Sequence, residues 1–199
     1  MAEFWEEAFK DKQEMWGEEP AKSTVWVNDY FVTNRVSNVL VPGFGYGRNA
    51  RVFTASGMRV TGIEISSTAI DLARPYFGPE LMVHHGSVTD MPFDNLLYDG
   101  IYCYALIHLL GNEERRKLIH DCYHQLSESG RMVFATISKQ ASIYGQGNVI
   151  GKDRFEMFGG VKMFFYDQET IEEEFGSYGL VEVREVSENY PFHLIVCEK

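Results

Sequence analysis

The chain has 199 residues, 45% of them hydrophobic and 24% charged, enough for one domain with a substantial core and short for two. Its 18 basic against 29 acidic residues leave a formal net charge of -11. That balance argues against a nucleic-acid or anionic-membrane partner, because phosphate binding is driven by clustered Lys and Arg, and it leaves a small molecule as the expected partner. No apolar run reaches bilayer length, and Met1-Ala2-Glu3-Phe4-Trp5-Glu6-Glu7 lacks the basic-then-apolar pattern of a secretory leader, so a cytoplasmic protein without membrane association is expected.

In chain order, residues 3–16 place Phe4, Trp5, Ala8, Phe9, Met15 and Trp16 at helical spacing, which predicts a helix with an aromatic face. A first strand follows at about Asn38 to Pro42. The glycine-rich turn Gly43-Phe44-Gly45-Tyr46-Gly47 then leads into a helix over Arg48 to Ser56, closed by Gly57, and a second strand over Met58 to Glu64. Ser66-Ser67-Thr68 offers N-caps for a helix to about Tyr76, frayed by Pro75. Strands are expected at Leu81 to His85 and Tyr98 to Cys103, the clearest helix at Asn112 to Leu126, and a fifth strand at Arg131 to Ile137 behind Gly130.

Strands alternating with helices imply β-α-β units around a parallel sheet covered on both faces, an α/β doubly wound fold. After Ile137 the rhythm changes. Residues 139–166 are rich in glycine and aromatics, which reads equally as a substrate-side insertion or as a hairpin covering a sheet edge. Asp167 to Phe175 returns to helix, and Leu180 to Val186 with Pro191 to Cys197 forms a closing hairpin. The whole of 1–199 is expected to be one domain, with 1–35 as an N-terminal helical lid.

The glycine spacing separates two cofactor classes. A dinucleotide fingerprint G-x-G-x-x-G needs its third glycine at position 48, where Arg48 stands, whereas G-x-G-x-G is met by Gly43, Gly45 and Gly47. This favours S-adenosylmethionine over NAD. Glu64, at the end of the next strand, stands where such folds place a carboxylate for ribose hydroxyls. Cys103, Cys122 and Cys197 have no C-x-x-C spacing and read as reduced core residues. His120 and His124 lie four apart but without the adjacent glutamate of a zinc-protease helix, so no metal is expected.

Together these segments resemble the class I S-adenosylmethionine-dependent methyltransferases over nearly the whole chain. The likeness rests on Val39 to Gly47, on Gly62-Ile63-Glu64-Ile65-Ser66, on Gly86-Ser87-Val88-Thr89-Asp90, on Tyr98 to Cys103 and on Leu126-Ser127-Glu128-Ser129-Gly130 before strand five. Val41 stands where the family usually has an acid, and Ser87 where it often has an aspartate. Val39-Leu40-Val41-Pro42-Gly43, Gly62 to Ser66 and the Trp5/Trp16 pair are similar to the thiopurine and halide/thiol methyltransferase branch. Gly47-Arg48-Asn49 and Phe164-Phe165-Tyr166-Asp167 are similar to the tellurite-resistance methyltransferases.

The resemblance implies a seven-stranded, mostly parallel sheet with one antiparallel strand in a C-terminal hairpin, and S-adenosylmethionine as cofactor, released as S-adenosylhomocysteine. It implies that Gly43, Phe44, Gly45, Tyr46 and Gly47 face the cofactor's amino-acid portion, that Glu64 and Ile65 hold the ribose, and that Ser87 and Val88 flank adenine. Cys103 and Tyr104 are expected near the methionine moiety. His108, just past the fourth strand, is the candidate general base, with Tyr104 beside it. A thiol or other soft acceptor would hardly need that base, whereas an alcohol or amine would. The expected activity is methyl transfer to a small-molecule acceptor, by a monomer or homodimer. A non-catalytic cofactor-binding protein is the alternative from another class.

Overall fold

A computed structural model describes residues 2–199. The central sheet has seven strands: β1 (Asn38–Pro42), β2 (Arg59–Glu64), β3 (Met82–His85), β4 (Tyr98–Tyr104), β5 (Leu126–Ile137), β9 (Leu180–Ser187) and β10 (Pro191–Glu198). Their spatial order is β3-β2-β1-β4-β5-β10-β9. All neighbours pair in parallel except β10, which runs antiparallel to both β5 and β9. This is the expected doubly wound fold with one reversed strand.

Side chains alternate across the sheet and feed two cores, as the two-residue period of a strand requires. On one face Tyr102 and Val133 meet Phe31 of α2 (Lys22–Thr33) and Phe53 of α3 (Ala50–Ala55). On the other, Ile101, Cys103 and Phe134 meet Ile119 of α5 (Asn112–His124) and Phe175 of α6 (Gln168–Phe175). From Gly100 to Cys103 both faces of β4 are buried, which is why Ile101-Tyr102-Cys103 reads as a short apolar run rather than an alternating one.

Two expectations change. The first helix, α1, covers Ala2–Lys12 and stops short of Met15 and Trp16. Gln13 takes a left-handed conformation (φ 52°), and the chain doubles back so that Trp16 stacks on Tyr46, with centroids 6.1 Å apart and planes 10° apart. Tertiary stacking outcompetes four more residues of helix. Pro75 does not fray the next helix either, since α4 runs Ser67–Phe77 with Pro75 inside it and Ser66 Oγ accepting from the Ala69 amide as the cap.

Residues 139–166 form a separate three-stranded antiparallel sheet, β6 (Asn148–Gly151), β7 (Arg154–Met157) and β8 (Val161–Phe164). It does not extend an edge of the main sheet; those edges are β3 and β9. β8 packs over the short 3₁₀ turn Ile107–Leu109 that follows β4. An internal ion pair anchors the segment: Arg115 of α5 meets Glu174 of α6 at 2.7 Å, both nearly sealed from solvent, and Tyr166 donates its hydroxyl to the same carboxylate at 2.8 Å. The Arg115 guanidinium also lies 3.8 Å from the Phe164 ring centroid, a cation–π contact. Nearby, Lys139 bridges Asp153 (2.7 Å) and Asp167 (2.6 Å). Among the described residues, no helix is long and apolar enough to cross a membrane.

Candidate active site

A cavity of about 790 Å³ opens at the carboxyl ends of β1, β2 and β4, where the strand order reverses direction and α/β sheets form a ligand crevice. One wall is backbone. Gly43 and Gly45 have positive φ (73° and 57°), a conformation that costs glycine little because it lacks Cβ. The turn is held back on β2, since the Gly43 and Phe44 amides both donate to the Ile63 carbonyl at 3.0 Å.

Glu64 closes this wall. Its Oε2 accepts from the Gly45 amide at 2.7 Å, and its Oε1 accepts from the Ile65 and Ser66 amides at 2.9 Å each. Only 6% of the residue is exposed. Burial raises its pKa above the ordinary carboxylate range, against the three amides, which favour the charged form. The expectation that this carboxylate serves a ligand alone is therefore incomplete, because it also holds the glycine turn in shape. Of the roughly four lone-pair sites of a carboxylate, the three amides fill both on Oε1 and one on Oε2, which leaves Oε2 able to accept from a hydroxyl donor.

Two of the expected residues lie elsewhere. Gly47 does not reach the cavity; its Cβ would sit 2.4 Å from Phe77, so glycine there serves close packing of the following segment. Cys103 is fully buried among Ile101, Cys122 and Phe134 on the sheet's other face, with burial raising its pKa, and behaves as a small core hydrophobe. Phe44, Tyr46, Ile65, Ser87, Val88 and Tyr104 all line the cavity, as do Gly43, Gly45, Glu64 and His108. The Ser87 hydroxyl is committed to Thr89, pairing with its hydroxyl at 2.7 Å and accepting from its amide at 3.2 Å.

The N-terminal segment roofs the cavity. Trp5, Phe9, Trp16 and Tyr46 form one aromatic cluster. Glu6 fastens α1 to the N-terminus of α4, accepting from Ser66 Oγ and Thr68 Oγ1 at 2.7 Å each. Those hydroxyl donors, with the Thr68 amide, lower its pKa to about 2. Arg48 donates to the Trp16 and Glu19 carbonyls at 3.1 and 3.0 Å. The residue that occupies the place of a third dinucleotide glycine thus spends its charge on this roof.

The remaining wall is legible in the sequence only in part, through the substrate-side reading of residues 139–166, and the hairpin's share of it is not. Phe192 and Tyr190 come from the β9–β10 hairpin, Phe158, Val161 and Met163 from the small sheet. Phe192 stacks on Tyr104 (6.0 Å, 20°) and meets His108 edge-on (5.8 Å, 88°). Burial pushes Tyr104 up to about 12 and holds His108 down at about 3. A group this hard to protonate is poorly suited to the general-base role expected of His108. Ala105, between them, takes φ 53°, a strained conformation for a residue with Cβ, set at the cavity wall.

A reversed strand beside the last edge, a glycine turn after β1 and a buried acid after β2 define a Rossmann-like methyltransferase fold. The family model described as a methyltransferase domain matches residues 39–130, from β1 into the start of β5. No protein of curated function matches the chain in sequence.

Solved structures share the fold at low identity. The 1,6-didemethyltoxoflavin-N1-methyltransferase of Burkholderia thailandensis, with 1,6-didemethyltoxoflavin and S-adenosylhomocysteine bound, superposes with a TM-score of 0.79 at 16% identity over 100% of this chain and 86% of that one. The magnesium protoporphyrin IX methyltransferase of Synechocystis PCC 6803, with S-adenosylmethionine bound, gives 0.72 at 12% over 100% and 96%. An S-adenosylmethionine-dependent methyltransferase of Clostridium acetobutylicum gives 0.75 at 12% over 98% of both chains.

Proposed function

We propose that the chain is an S-adenosylmethionine-dependent methyltransferase acting on a small-molecule acceptor that presents a soft nucleophile, such as a thiol. The observation that carries this reading is the pairing of the Gly43–Gly45 turn with Glu64 on one cavity wall, bonded to each other at 2.7 Å. The donor set fits an adenosyl sulfonium. Glu64 keeps an acceptor site on Oε2 for a ribose hydroxyl, Ile65 and Val88 give apolar flanks for a purine, and the glycine turn leaves backbone within reach of an amino acid. The Arg48 guanidinium beside the turn is occupied with roof carbonyls and so is not free to hold a pyrophosphate.

When bound, the cofactor supplies an already activated methyl group, so the chain's own task is orientation and exclusion of water. The N-terminal roof and the Tyr104–Phe192 wall do both, enclosing the space in which an acceptor meets the methyl. At 790 Å³ the cavity is toward the upper end of the roughly 300–1,000 Å³ typical of ligand pockets, which suits a cofactor and a compact acceptor together. The test is calorimetric titration with S-adenosylhomocysteine, followed by incubation of labelled S-adenosylmethionine with thiol, selenite, tellurite, phenol and amine acceptors. Binding plus labelled product supports the reading, and failure to bind either form of the cofactor ends it.

A further inference from the structure

We infer that His108 is a hydrogen-bond donor to the methyl acceptor through Nε2–H, and that the site takes acceptors arriving already deprotonated, thiolates or comparable soft anions. This rests on the methyltransferase reading of the cavity and adds the chemical state in which the acceptor enters.

The tautomer follows from the backbone. The Ile137 amide points at His108 Nδ1 at 3.4 Å, and the Thr136 hydroxyl lies 3.3 Å from the same nitrogen. An amide N–H can only donate, so Nδ1 carries a lone pair and the proton resides on Nε2. Among the described residues Nε2 has no hydrogen-bond partner, yet it is not among the sealed polar atoms left without one. With His108 on the cavity wall, the N–H edge opens to the cavity. Its ring plane is fixed edge-on against Phe192, beside Tyr104, opposite in character to the glycine wall.

The surroundings speak against a base. No carboxylate is bonded to either ring nitrogen. The elements packed against this turn carry several charged and titratable groups, Tyr104 on β4, Glu113, Glu114 and Arg115 on α5, Arg131 on β5, Lys162 on β8 and His193 on β10 among them, and among the described residues only the Thr136 hydroxyl and the Ile137 amide bond to the imidazole. Taking a proton from an acceptor would create an unpaired imidazolium in a site 4% exposed, a costly burial of charge. In the transfer, the acceptor's lone pair forms the bond to the methyl carbon while the carbon–sulfur bond breaks and its electrons stay on sulfur. An acceptor that enters without its proton therefore leaves none to be removed, and a neutral donor such as Nε2–H suffices to orient it.

The test has two arms. Protein labelled with [¹⁵N]histidine, with S-adenosylhomocysteine bound, is followed by long-range ¹H–¹⁵N correlation from about pH 5 to about pH 8, the range in which an ordinary histidine titrates. The expected result is a His108 that stays neutral with Nδ1 unprotonated; titration in this range, or a proton on Nδ1, overturns the inference. In the second arm, 4-nitrothiophenolate is added to the same complex and its absorbance reports whether the anion or the thiol is bound. The wild type is expected to bind the anion. His108→Gln, which keeps an N–H near the Nε2 position, should stay within about threefold of the wild type, and His108→Met should weaken binding about tenfold, the loss of one hydrogen bond to a charged group. Absence of binding by the wild type, or equal binding by His108→Met, also overturns it. Failure to bind S-adenosylhomocysteine strikes instead at the methyltransferase reading, so the two failures are distinguishable.

Discussion

The two walls of the cavity are built by different physics. The glycine-turn wall, the proposed cofactor side, is mostly main chain: amides of the glycine turn and of Ile65 and Ser66 converge on one carboxylate, Glu64. The opposite wall is side chain: aromatics from the β9–β10 hairpin and the small sheet, kept in place from behind by the Arg115–Glu174 pair and the Lys139 bridge. Backbone recognition depends on a few glycines and one acid in a local pattern, whereas a side-chain wall can be rebuilt with many sequences. The difference explains how the match to a methyltransferase-domain model begins at residue 39 while the nature of any acceptor is not readable.

Breaking one wall at a time should expose that division. The largest effect is expected for Glu174→Ala. It leaves the Arg115 guanidinium buried without its partner, a loss of about 3–5 kcal/mol, read as a large drop in melting temperature. Where folded protein remains, its affinity for S-adenosylhomocysteine should stay within about threefold, because the cofactor wall is untouched. Glu64→Ala should do the reverse. Removing the acceptor of three amides costs about 2–3 kcal/mol of stability, and S-adenosylhomocysteine affinity should fall about tenfold to a hundredfold for the loss of charged hydrogen bonds. Both are measured by thermal melts and calorimetry on the same samples. Equal losses of cofactor affinity in the two variants would break the comparison.

Smaller effects sharpen it. Lys139→Met should cost about 1 kcal/mol, since this partly exposed bridge is screened by solvent, and should move acceptor KM rather than cofactor affinity in steady-state assays. The Glu6 latch gives a pH signature. Its carboxyl pKa is lowered to about 2 in the folded chain against an ordinary value near 4.3, so its contribution is present above about pH 4.5 and lost as pH falls toward about 2. Glu6→Ala should therefore melt below the wild type at neutral pH, by a degree or two for a partly exposed group, with the gap closing in acid.

Legibility in the sequence follows the same split. β1 falls at Asn38–Pro42 as its apolar run and bounding glycine predict, and Ser66 caps α4 as its side chain suggests. These are decided within a few residues. Glu64 was legible as an acid after a strand, but its second duty to the glycine turn was not, because the bond to Gly45 spans the two parallel strands. The glycine spacing also overstated its case: Gly47 looks identical to Gly43 and Gly45 in sequence, yet answers to Phe77. Cys103 reads as a site residue by position, but strand alternation turns it to the other face. The small sheet and the Tyr190–Phe192 hairpin wall depend on contacts between distant segments, which no local period announces. The end of α1 at Lys12 belongs here too, since it is set by Trp16 finding Tyr46.

The roof is fastened to the floor by parts of the floor itself. Tyr46 donates its hydroxyl to the Gly17 carbonyl at 2.8 Å, and Arg48, two residues on, grips Trp16 and Glu19. The stretch of chain that forms the glycine-turn wall therefore also bolts the roof over it. On the proposed methyltransferase reading, any rearrangement large enough to admit or discharge a nucleoside through this side has to disturb that turn, which ties the rhythm of turnover to the same handful of residues that set its chemistry.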